Sequence, residues 1–476
     1  MEGIDVSLYI VVSLMMFFEY AVWGAWMPVL AGRLLGPLKM SGKQTGWVYA
    51  TLPIGCIIAT PIAGQLADTV IDPKWILVAC HAVGAILLYV AARQKTFAGV
   101  FTSMFFYSLC YAATIPLVNS IMFAHQPEIG VDKECGSIFI WAPVAWAIIG
   151  YILSGYRATR KVEGDQSDGL KLAAICSIIM VIICCFQPGT EPKGSEGMMA
   201  ALDLFGDSSF LIFMIVTLCV AGLQQFYFLG TAQMIQDIGM SVKSVPGVMA
   251  IAQATQALAT LFLLGILLGS LGFSLTLAIG VLCWAALFAV YSFFRVPVLV
   301  VPIQAFHGLA YVFFIIVGQI YCKTVAPEEI RSSAQALVIF VQAGVALFLA
   351  TQLAGFTMSC NADKETGKFN WSKIFMVPLV ITIFGAALLL IGMSNPEPKE
   401  ESKTEVPKVQ KIEQGEEVKS DDLDKLLSGT PAGKVQNGTT DNNGDGKKEV
   451  TKENEPNVNE EVPENTDPQK TPENNE

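Results

Sequence analysis

Long apolar blocks, each long enough to cross a lipid bilayer, dominate the first 394 residues of this chain. A membrane-spanning α-helix needs about 20 predominantly apolar residues. Because hydrocarbon offers no hydrogen-bonding partners, a segment inside it must satisfy its own backbone groups, which favours helices. The sequence therefore predicts an all-α membrane protein. We predict twelve helices, over residues 7–33, 44–67, 73–92, 98–124, 137–156, 169–187, 208–237, 243–270, 272–293, 297–325, 332–357 and 371–394.

The negative charge of the chain lies almost entirely at its C-terminal end. Residues 395–476 contain 11 lysines and 21 acidic residues, a net charge of −10, against −11 for the whole chain. This segment is rich in proline and asparagine and has almost no aromatic residues, so it cannot bury enough apolar surface to fold alone. We expect residues 395–476 to form a disordered acidic tail.

The sequence offers little that is typical of an enzyme. The eleven cysteines are scattered singly through the apolar blocks, apart from Cys184 and Cys185, and show no metal-ligand spacing. No nucleotide-binding loop, catalytic triad or zinc motif is recognisable. These observations argue against an enzyme or an ATP-driven pump, and we expect no cofactor and no metal.

The longest polar break in the body divides the predicted helices into two sets of six. It covers residues 188–207 and separates an N-terminal half, 1–187, from a C-terminal half, 208–394. Two six-helix halves joined by a longer loop resemble the major facilitator superfamily, whose halves are repeats facing a central site. The segment "GQLADTVIDPKW" fits part of the superfamily's signature through Gly64 and Asp68, although the usual basic residues are missing. We therefore predict the major facilitator fold.

Four segments resemble the nucleoside:proton symporter family of that superfamily. They are "EYAVWGAW" (19–26), "PKWILVACHAVGAI" (73–86), "YAATIPLVNSI" (111–121) and "APEEIRSSAQAL" (326–337). The resemblance runs over about residues 10–394 and implies a secondary transporter that couples nucleoside uptake to protons by alternating access. It also implies a monomer in the cell membrane, the inner membrane in a bacterium, with both termini in the cytoplasm. The expected partners are a small-molecule substrate, protons and the lipid bilayer, without nucleic acid.

Polar and aromatic residues gather on single faces of several predicted helices. Gln253 and Gln256, for example, are three residues apart in the eighth helix, a spacing that puts both side chains on one face. Such amides can bond neighbouring helices, or they can line a mostly apolar cavity that holds a few placed polar groups. We favour the cavity, because five predicted helices carry such stripes, which together contain amides, an imidazole and aromatic rings. In such a cavity, rings can stack on a base while amides bond base edges and hydroxyls. The predicted substrate-binding residues are Trp23, Phe139, Trp146, Gln224, Tyr227, Gln253, Gln256, His307 and Tyr311.

The resemblance assigns roles to some of these residues. The family's amide contacts to substrate match Gln224 and Gln253 without change. Its aromatic residue on the fifth helix matches Trp146, and its aromatics on the tenth helix match His307 and Tyr311.

Other positions depart from the family pattern. The family's arginine is replaced by Phe139, its glutamate by Gln256 and its tenth-helix aspartate by Val312. In addition, Tyr227 stands where the family has an asparagine, and Pro143 where it has a threonine. We therefore expect a cavity that is less charged than is usual in the family, which leaves open the substrate and the coupling to protons.

Glu19 is the one acid that we place well inside a predicted helix. An ionisable group at membrane depth is costly and is by default a functional residue. Because burial disfavours the charged form of an acid, Glu19 is our candidate for proton coupling. The alternative is a neutral or paired acid that bonds a neighbouring helix. His307 is the second titratable candidate.

The distribution of basic residues disagrees with the expected orientation. With both termini inside, the outer loops and helix ends hold twelve lysines and arginines, among them Arg33 and Arg157, and the inner ones hold five. The positive-inside rule predicts the opposite. We keep the orientation of the family.

Two alternative functions stay open at this point. One is a facilitator or symporter for another small hydroxylated metabolite, such as a sugar. The other is a membrane receptor built on a transporter scaffold, with the tail passing on a signal. Uptake of labelled substrate into vesicles separates a transporter from a receptor that binds without net flux.

Overall fold

The computed structural model describes residues 6–125, 136–160, 165–189, 198–327, 330–363 and 365–396. Within these ranges the chain forms long helices that correspond to all twelve predicted ones. They are α1 (Val6–Leu35), α2 (Gly42–Thr69), α3 (Pro73–Arg93), α4 (Phe97–Ala124), α5 (Trp141–Thr159), α6 (Asp168–Cys185), α7 (Ser208–Asp237), α8 (Val245–Phe262), α9 (Leu264–Phe293), α10 (Pro297–Val325), α11 (Ser333–Cys360) and α12 (Trp371–Gly392).

Short connections make consecutive helices antiparallel. An even number of helices then returns the chain to the face on which it began. We call the membrane face that holds residues 6 and 396 the terminal face, and the opposite one the far face. Odd-numbered helices run from the terminal face to the far face, and even-numbered helices run back.

Several helices begin where the sequence provides a local cap. At the start of α2, Ser41 Oγ accepts the Gln44 backbone N–H at 3.2 Å, and Gln44 Oε1 accepts the Ser41 N–H at 2.9 Å. At the start of α3, Asp72 accepts the Lys74 N–H at 3.0 Å, and Pro73 occupies the first helical position. These side chains satisfy backbone donors that have no partner within the helix.

Eleven of the twelve helices are long and apolar enough to cross a membrane by length and composition alone. The exception among the described residues is α5, which has 19 residues but includes polar or less apolar ones such as Pro143 and Arg157. It packs between α1 and α8. Because protein rather than lipid surrounds much of it, α5 does not need to be uniformly apolar.

The predicted boundary between the eighth and ninth helices, at residue 271, coincides with a sharp turn of the chain at Gly272. The φ of this glycine, 72°, is in the left-handed region that glycine adopts without a steric penalty. The interruption at Leu263 is milder, because its φ of −105° and ψ of −31° stay in the right-handed helical region. Residues 264–271 therefore continue the direction of α8, although the bounds of α9 include them.

In the described residues, α7, α10 and α11 contain short 3₁₀- or π-helical segments. In α7, residues 221–223 form a 3₁₀ turn directly before Gln224. In α10 and α11, Tyr311–Ile316 and Phe340–Ala346 are π-helical. Such turns often mark functional sites and change the direction of the side chains that follow.

The two halves meet closely at the far face through α2 and α11. A Cβ atom on Gly42 would lie 2.6 Å from Met358 Cβ, and one on Gly355 would lie 2.8 Å from the Gly42 carbonyl oxygen. The Lys43 backbone N–H donates to Ser359 Oγ at 2.7 Å. Only glycines allow the backbones to approach this closely.

A second seam between the halves joins α5 to α8 at the same face. A Cβ atom on Gly150 would lie 2.7 Å from Ala250 Cβ. Ser154 Oγ donates to the Lys243 carbonyl oxygen at 2.8 Å, and the Arg157 guanidinium donates to the Val242 carbonyl oxygen at 3.4 Å. Both seams close the path between the halves at the far face.

Two arginines near the far face are buried and paired. Arg33 Nη2 donates to the Ala92 carbonyl oxygen at 2.9 Å and lies 3.5 Å from Asp165 Oδ2. Arg157 donates through Nε and Nη2 to the Asp168 carboxylate, both at 2.6 Å. Two of the twelve basic residues assigned to the outer side are thus structural ion-pair members.

Parts of the predicted organisation fall outside the described residues. Of the loop predicted between the halves, the structure describes Pro188 and Gly189 and, after a gap at 190–197, a 3₁₀ helix over Met198–Gly206. The tail is described only as far as residue 396. The boundaries of the two halves and the disorder of the tail stay predictions.

Candidate substrate cavity and buried acid site

A row of aromatic rings crosses from one half to the other at the centre of the molecule. Trp23 of α1 meets Trp146 of α5 edge-on, with ring centroids 5.4 Å apart. Trp146 lies 5.8 Å from Phe228 of α7, and Phe228 lies 5.5 Å from His307 of α10. The contact between Trp146 and Phe228 joins the two halves. The sequence analysis missed Phe228, which it could have found as an aromatic next to Tyr227.

A small cavity lies beside this row. Three predicted residues, Trp146, Tyr227 and Gln253, line it. The free space is about 10 Å³, room for about one water molecule. In this conformation the cavity is therefore collapsed, and a nucleoside can enter only when the halves move apart. The other lining residues are Gly24, Pro28, Val29, Gly150, Leu153, Phe228, Pro246, Met249 and Ala250.

Several buried polar atoms near the row have no hydrogen-bond partner within the described parts of the chain. They include Trp23 Nε1, the Tyr227 hydroxyl and both polar atoms of the Gln225 amide. An unpaired polar group in an apolar environment costs about 2–7 kcal/mol. Gln224 differs, because its Nε2 donates to the Ala221 carbonyl oxygen at 3.1 Å. The unpaired atoms are suited to bind a polar ligand or water.

His307 is held as a neutral imidazole. Trp284 Nε1 donates to His307 Nδ1 at 3.2 Å, so Nδ1 acts as an acceptor and carries no proton. The Tyr227 ring stacks on the imidazole, with centroids 4.0 Å apart and an interplanar angle of 13°. A second proton on His307 would remove the acceptor for Trp284. The geometry suits a substrate-binding side chain better than a proton carrier.

Six predicted site residues do not line the cavity, and three of these, Phe139, Gln256 and Tyr311, do not belong to the aromatic row or its hydrogen bonds either. Phe139 is half-buried on a short helix, Gly136–Phe139, and packs against the apolar cluster that includes Met16 and Leu117. Gln256 is buried one turn from Gln253, and its carbonyl oxygen accepts the Thr260 hydroxyl at 2.9 Å. Tyr311 is half-buried at the start of the π-helical segment of α10. Their roles as substrate contacts stay predictions for a more open conformation.

Glu19 is fully buried and makes hydrogen bonds to two helices. Its Oε2 lies 2.8 Å from His81 Nε2 of α3, and its Oε1 accepts the Thr114 hydroxyl of α4 at 2.7 Å. The Tyr111 hydroxyl donates to the Glu19 backbone carbonyl oxygen at 2.8 Å. The sequence analysis quoted the segment that contains His81 but missed the residue itself, although an imidazole inside an apolar block is as unusual as an acid.

The cavity between two six-helix halves has the architecture expected for the family that the four sequence segments resemble. A family model described as nucleoside H⁺ symporter matches residues 6–397. The chain belongs to this family. Its members are transporters, so this nucleoside H⁺ symporter family member is a multi-pass membrane transporter and not an enzyme.

Individual relatives agree with this assignment. The protein YegT of Escherichia coli strain K12 is 28% identical over 399 residues, which cover 80% of this chain and 92% of YegT. The nucleoside permease NupG of the same strain is 22% identical over 394 residues, which cover 78% of this chain and 92% of NupG. A crystal structure of a variant of the nucleoside transporter NupG has a TM-score of 0.72 at 22% identity and covers 80% of this chain and 99% of that one. The predicted family and the major facilitator fold are confirmed.

Proposed function

We propose that this chain takes up nucleosides together with protons by alternating access. The observation that carries the proposal is the aromatic row Trp23–Trp146–Phe228–His307, which spans both halves beside buried polar atoms that lack partners. Rings on both halves can stack on a base, and the unpaired groups can bond the base edge and the sugar hydroxyls. The relatives named nucleoside permease and xanthosine permease support this substrate class.

The proposed substrate contacts divide into two kinds. Trp146 and Phe228 provide apolar ring surfaces, since both line the cavity. Gln253, Tyr227 and Trp23 provide hydrogen bonds through an amide, a hydroxyl and an indole N–H. The site contains few placed polar groups in a mostly apolar wall, as is usual for small-molecule sites. It therefore selects a flat, uncharged ligand with hydroxyl groups.

We further propose that Glu19 carries the coupling proton. It lies about 20 Å along α1 from Val6 at 1.5 Å per residue, which is near the middle of the helix. The family pattern has a glutamate and an aspartate at two other positions within the membrane. This chain has Gln256 and Val312 there, so neither position supplies an acid. His307 is a weaker candidate, since protonation would break its bond from Trp284.

The far face is proposed to be the outer side, with both termini in the cytoplasm and, in a bacterium, the chain in the inner membrane. The seams α2–α11 and α5–α8 then seal the path to the outside. The burial of Arg33 and Arg157 in ion pairs reduces the conflict with the positive-inside rule, because charges neutralised within the protein contribute little to the bias. The proposed orientation itself rests on the family. The chain is proposed to act as a monomer, since one chain supplies both walls of the cavity.

Glu19→Gln tests the coupling, because it keeps size and hydrogen bonding but removes the titration. In membrane vesicles, accumulation of labelled uridine driven by a pH gradient should fall to the level seen without a gradient. Exchange of uridine across the membrane should continue, because exchange needs only the loaded carrier to reorient. Gradient-driven accumulation in the variant would contradict the role of Glu19.

The unmutated protein provides the test of the substrate. Competition by nucleosides, bases and sugars against labelled uridine should show the strongest inhibition by nucleosides. If the unmutated chain neither accumulates nor exchanges uridine, nucleoside transport is wrong. If only a sugar competes with uridine, the substrate belongs to the alternative class of small hydroxylated metabolites.

A further inference from the structure

Glu19 and His81 form a hydrogen-bonded pair that is closed off from solvent. The side chains of Glu19 and His81 are 0% and 1% exposed, and their nearest atoms, Oε2 and Nε2, lie 2.8 Å apart. The pair lies within the N-terminal half, where α1, α3, α4 and α6 meet. Burying an ionisable group at this depth is costly unless it is paired or neutralised. An acid whose only task is to join helices does not need a second titratable group as its partner.

Each end of the pair also has a hydroxyl that can respond to a change of protonation. At the carboxyl end, Thr114 Oγ1 lies 2.7 Å from Glu19 Oε1 and 2.7 Å from the Tyr111 carbonyl oxygen. At the imidazole end, Ser177 Oγ lies 3.0 Å from His81 Nδ1 and 3.0 Å from the His81 carbonyl oxygen. A hydroxyl has one proton to donate and two lone pairs to accept with. Each hydroxyl can therefore donate to the pair in one state and to the carbonyl in the other.

This arrangement keeps the polar atoms of the pair bonded whether or not it holds a proton. When Glu19 is ionised, Thr114 donates to its Oε1. When the pair holds the additional proton, His81 Nδ1–H donates to the Ser177 hydroxyl, and that hydroxyl donates to the His81 carbonyl oxygen. Leaving a buried polar atom unpaired costs about 1–3 kcal/mol, and the rotating hydroxyls avoid this cost. The site is thus built to exchange a proton without moving the backbone.

We propose that the coupling proton is shared between Glu19 Oε2 and His81 Nε2, which makes His81 a second proton-coupling residue. The proposal rests on the proposed function, since it identifies the proton site of the same symport. In the loaded state one proton lies between the two atoms while His81 Nδ1–H donates to Ser177, and the pair has no net charge. Release of one proton to water on the inner side leaves the carboxylate and a neutral imidazole, with a net charge of −1. The remaining imidazole proton is then on Nε2 and donates to Glu19 Oε2, while the Ser177 hydroxyl donates to Nδ1.

Among the groups around Glu19, His81 is the one that can exchange a proton with it at physiological pH. The groups that interact electrostatically with Glu19 are otherwise phenols and thiols, which are neutral at physiological pH. Among the described residues no lysine or arginine is paired with Glu19. The phenols and thiols that interact with Glu19 are those of Tyr20 on α1, Cys80 on α3, Tyr107 and Tyr111 on α4, and Cys184 on α6.

Helix α1 connects the Glu19–His81 pair to the substrate cavity through Trp23 and Gly24. Trp23 lies one helical turn after Glu19 on α1 and contacts both Tyr111, at 6.1 Å between ring centroids, and Trp146, at 5.4 Å. A Cβ atom on the next residue, Gly24, would lie 2.9 Å from Trp146 Cγ. A change of charge at Glu19 therefore acts on the segment of α1 that packs against the cavity wall.

His81→Gln tests the proposal, because its amide can replace the Nε2 hydrogen bond but cannot titrate. Uridine exchange should continue at close to the unmutated rate, while accumulation driven by a pH gradient should be lost. The matched control is His125→Gln, which removes another buried histidine of the same half and should keep the gradient-driven accumulation. The abundance of each variant in the membrane is measured in parallel.

The outcomes separate this proposal from the proposed function. Normal gradient-driven accumulation in His81→Gln overturns the role of His81 and leaves nucleoside symport standing. Loss of both exchange and accumulation also overturns the role of His81 in proton coupling, because His81 then acts in folding or reorientation. If His81→Gln does not reach the membrane, Ser177→Ala decides. It removes the hydrogen-bond partner of Nδ1 in both states and should therefore change the pH of half-maximal uptake. An unchanged pH profile counts against the proposal. Absence of uridine transport in the unmutated chain instead removes the proposed function.

Discussion

At the scale of single residues, Gln253 illustrates how an amide is used in an apolar wall. It lines the cavity from α8 and is only 8% exposed, so a bond from its amide to a substrate is made without competition from bulk water. Truncating a buried hydrogen-bonding side chain costs about 1–3 kcal/mol. Since 1.4 kcal/mol corresponds to a tenfold change in affinity, Gln253→Ala should raise the Kd for uridine about tenfold.

Equilibrium binding of labelled uridine to the purified protein measures this effect. Gln319→Ala is the matched control, because Gln319 is a half-buried glutamine of α10 that does not line the cavity. It should bind uridine normally. Unchanged affinity in Gln253→Ala would make this glutamine a contact between helices instead.

Tyr227 allows a sharper separation of binding from stability. Its hydroxyl is buried and has no partner in the described part of the chain, while its ring stacks on His307. Tyr227→Phe keeps the ring and removes an unsatisfied hydroxyl, so the melting temperature should stay the same or rise. If the hydroxyl bonds substrate, uridine affinity should fall at the same time.

Thermal unfolding and uridine binding on the same sample measure both effects of Tyr227→Phe. A drop in melting temperature would show that the hydroxyl has a structural partner. An unchanged affinity would place the substrate elsewhere in the cavity.

At the scale of helices, the seam between α2 and α11 determines whether the far face can close. A Cβ atom on Gly46 would lie 3.0 Å from the Thr351 carbonyl oxygen and 3.1 Å from Gly355 Cα. Gly46→Leu therefore cannot fit into the closed seam without separating the helices. We expect uridine uptake to fall about tenfold or more, because 1–3 kcal/mol of overpacking in the closed state biases the cycle against it.

Gly155→Leu is the matched control for this substitution. A Cβ atom on Gly155 meets nothing within 4 Å among the described residues, so a leucine there should leave uptake unchanged. Uridine binding by Gly46→Leu should persist, since the cavity itself is not altered. Normal uptake by Gly46→Leu would mean that transport does not require this closed seam.

At the scale of the whole molecule, the orientation in the membrane can be tested with native cysteines. Cys360 is exposed at the end of α11 on the far face, and Cys185 is exposed at the end of α6 on the terminal face. If the far face is outside, a membrane-impermeant maleimide should label Cys360 in intact cells and Cys185 only in inside-out vesicles. Mass spectrometry of the labelled peptides, with Cys360→Ser and Cys185→Ser as controls, identifies the sites. The reverse pattern would invert the proposed topology.

The sequence alone determined the helices and the fold class, because these depend on local properties. An apolar stretch of about 20 residues becomes a membrane helix whatever its neighbours are. Capping residues such as Ser41 and Asp72 mark helix starts in the same local way. The choice of Trp146, Tyr227 and Gln253 as cavity residues also came from the sequence, with the help of helical spacing and the family resemblance, and the structure brings all three together.

Only the tertiary structure decided which of these residues meet. Glu19 and His81 are 62 residues apart, and no periodicity within one helix can indicate that α1 and α3 turn these side chains toward each other. The position of Phe139 outside the cavity and the π-helical turn at Tyr311 likewise depend on how helices rotate and bend against their neighbours. The physical reason is that helix formation is a local property of the chain. The rotation of one helix relative to another is set by close packing between residues that are distant in sequence.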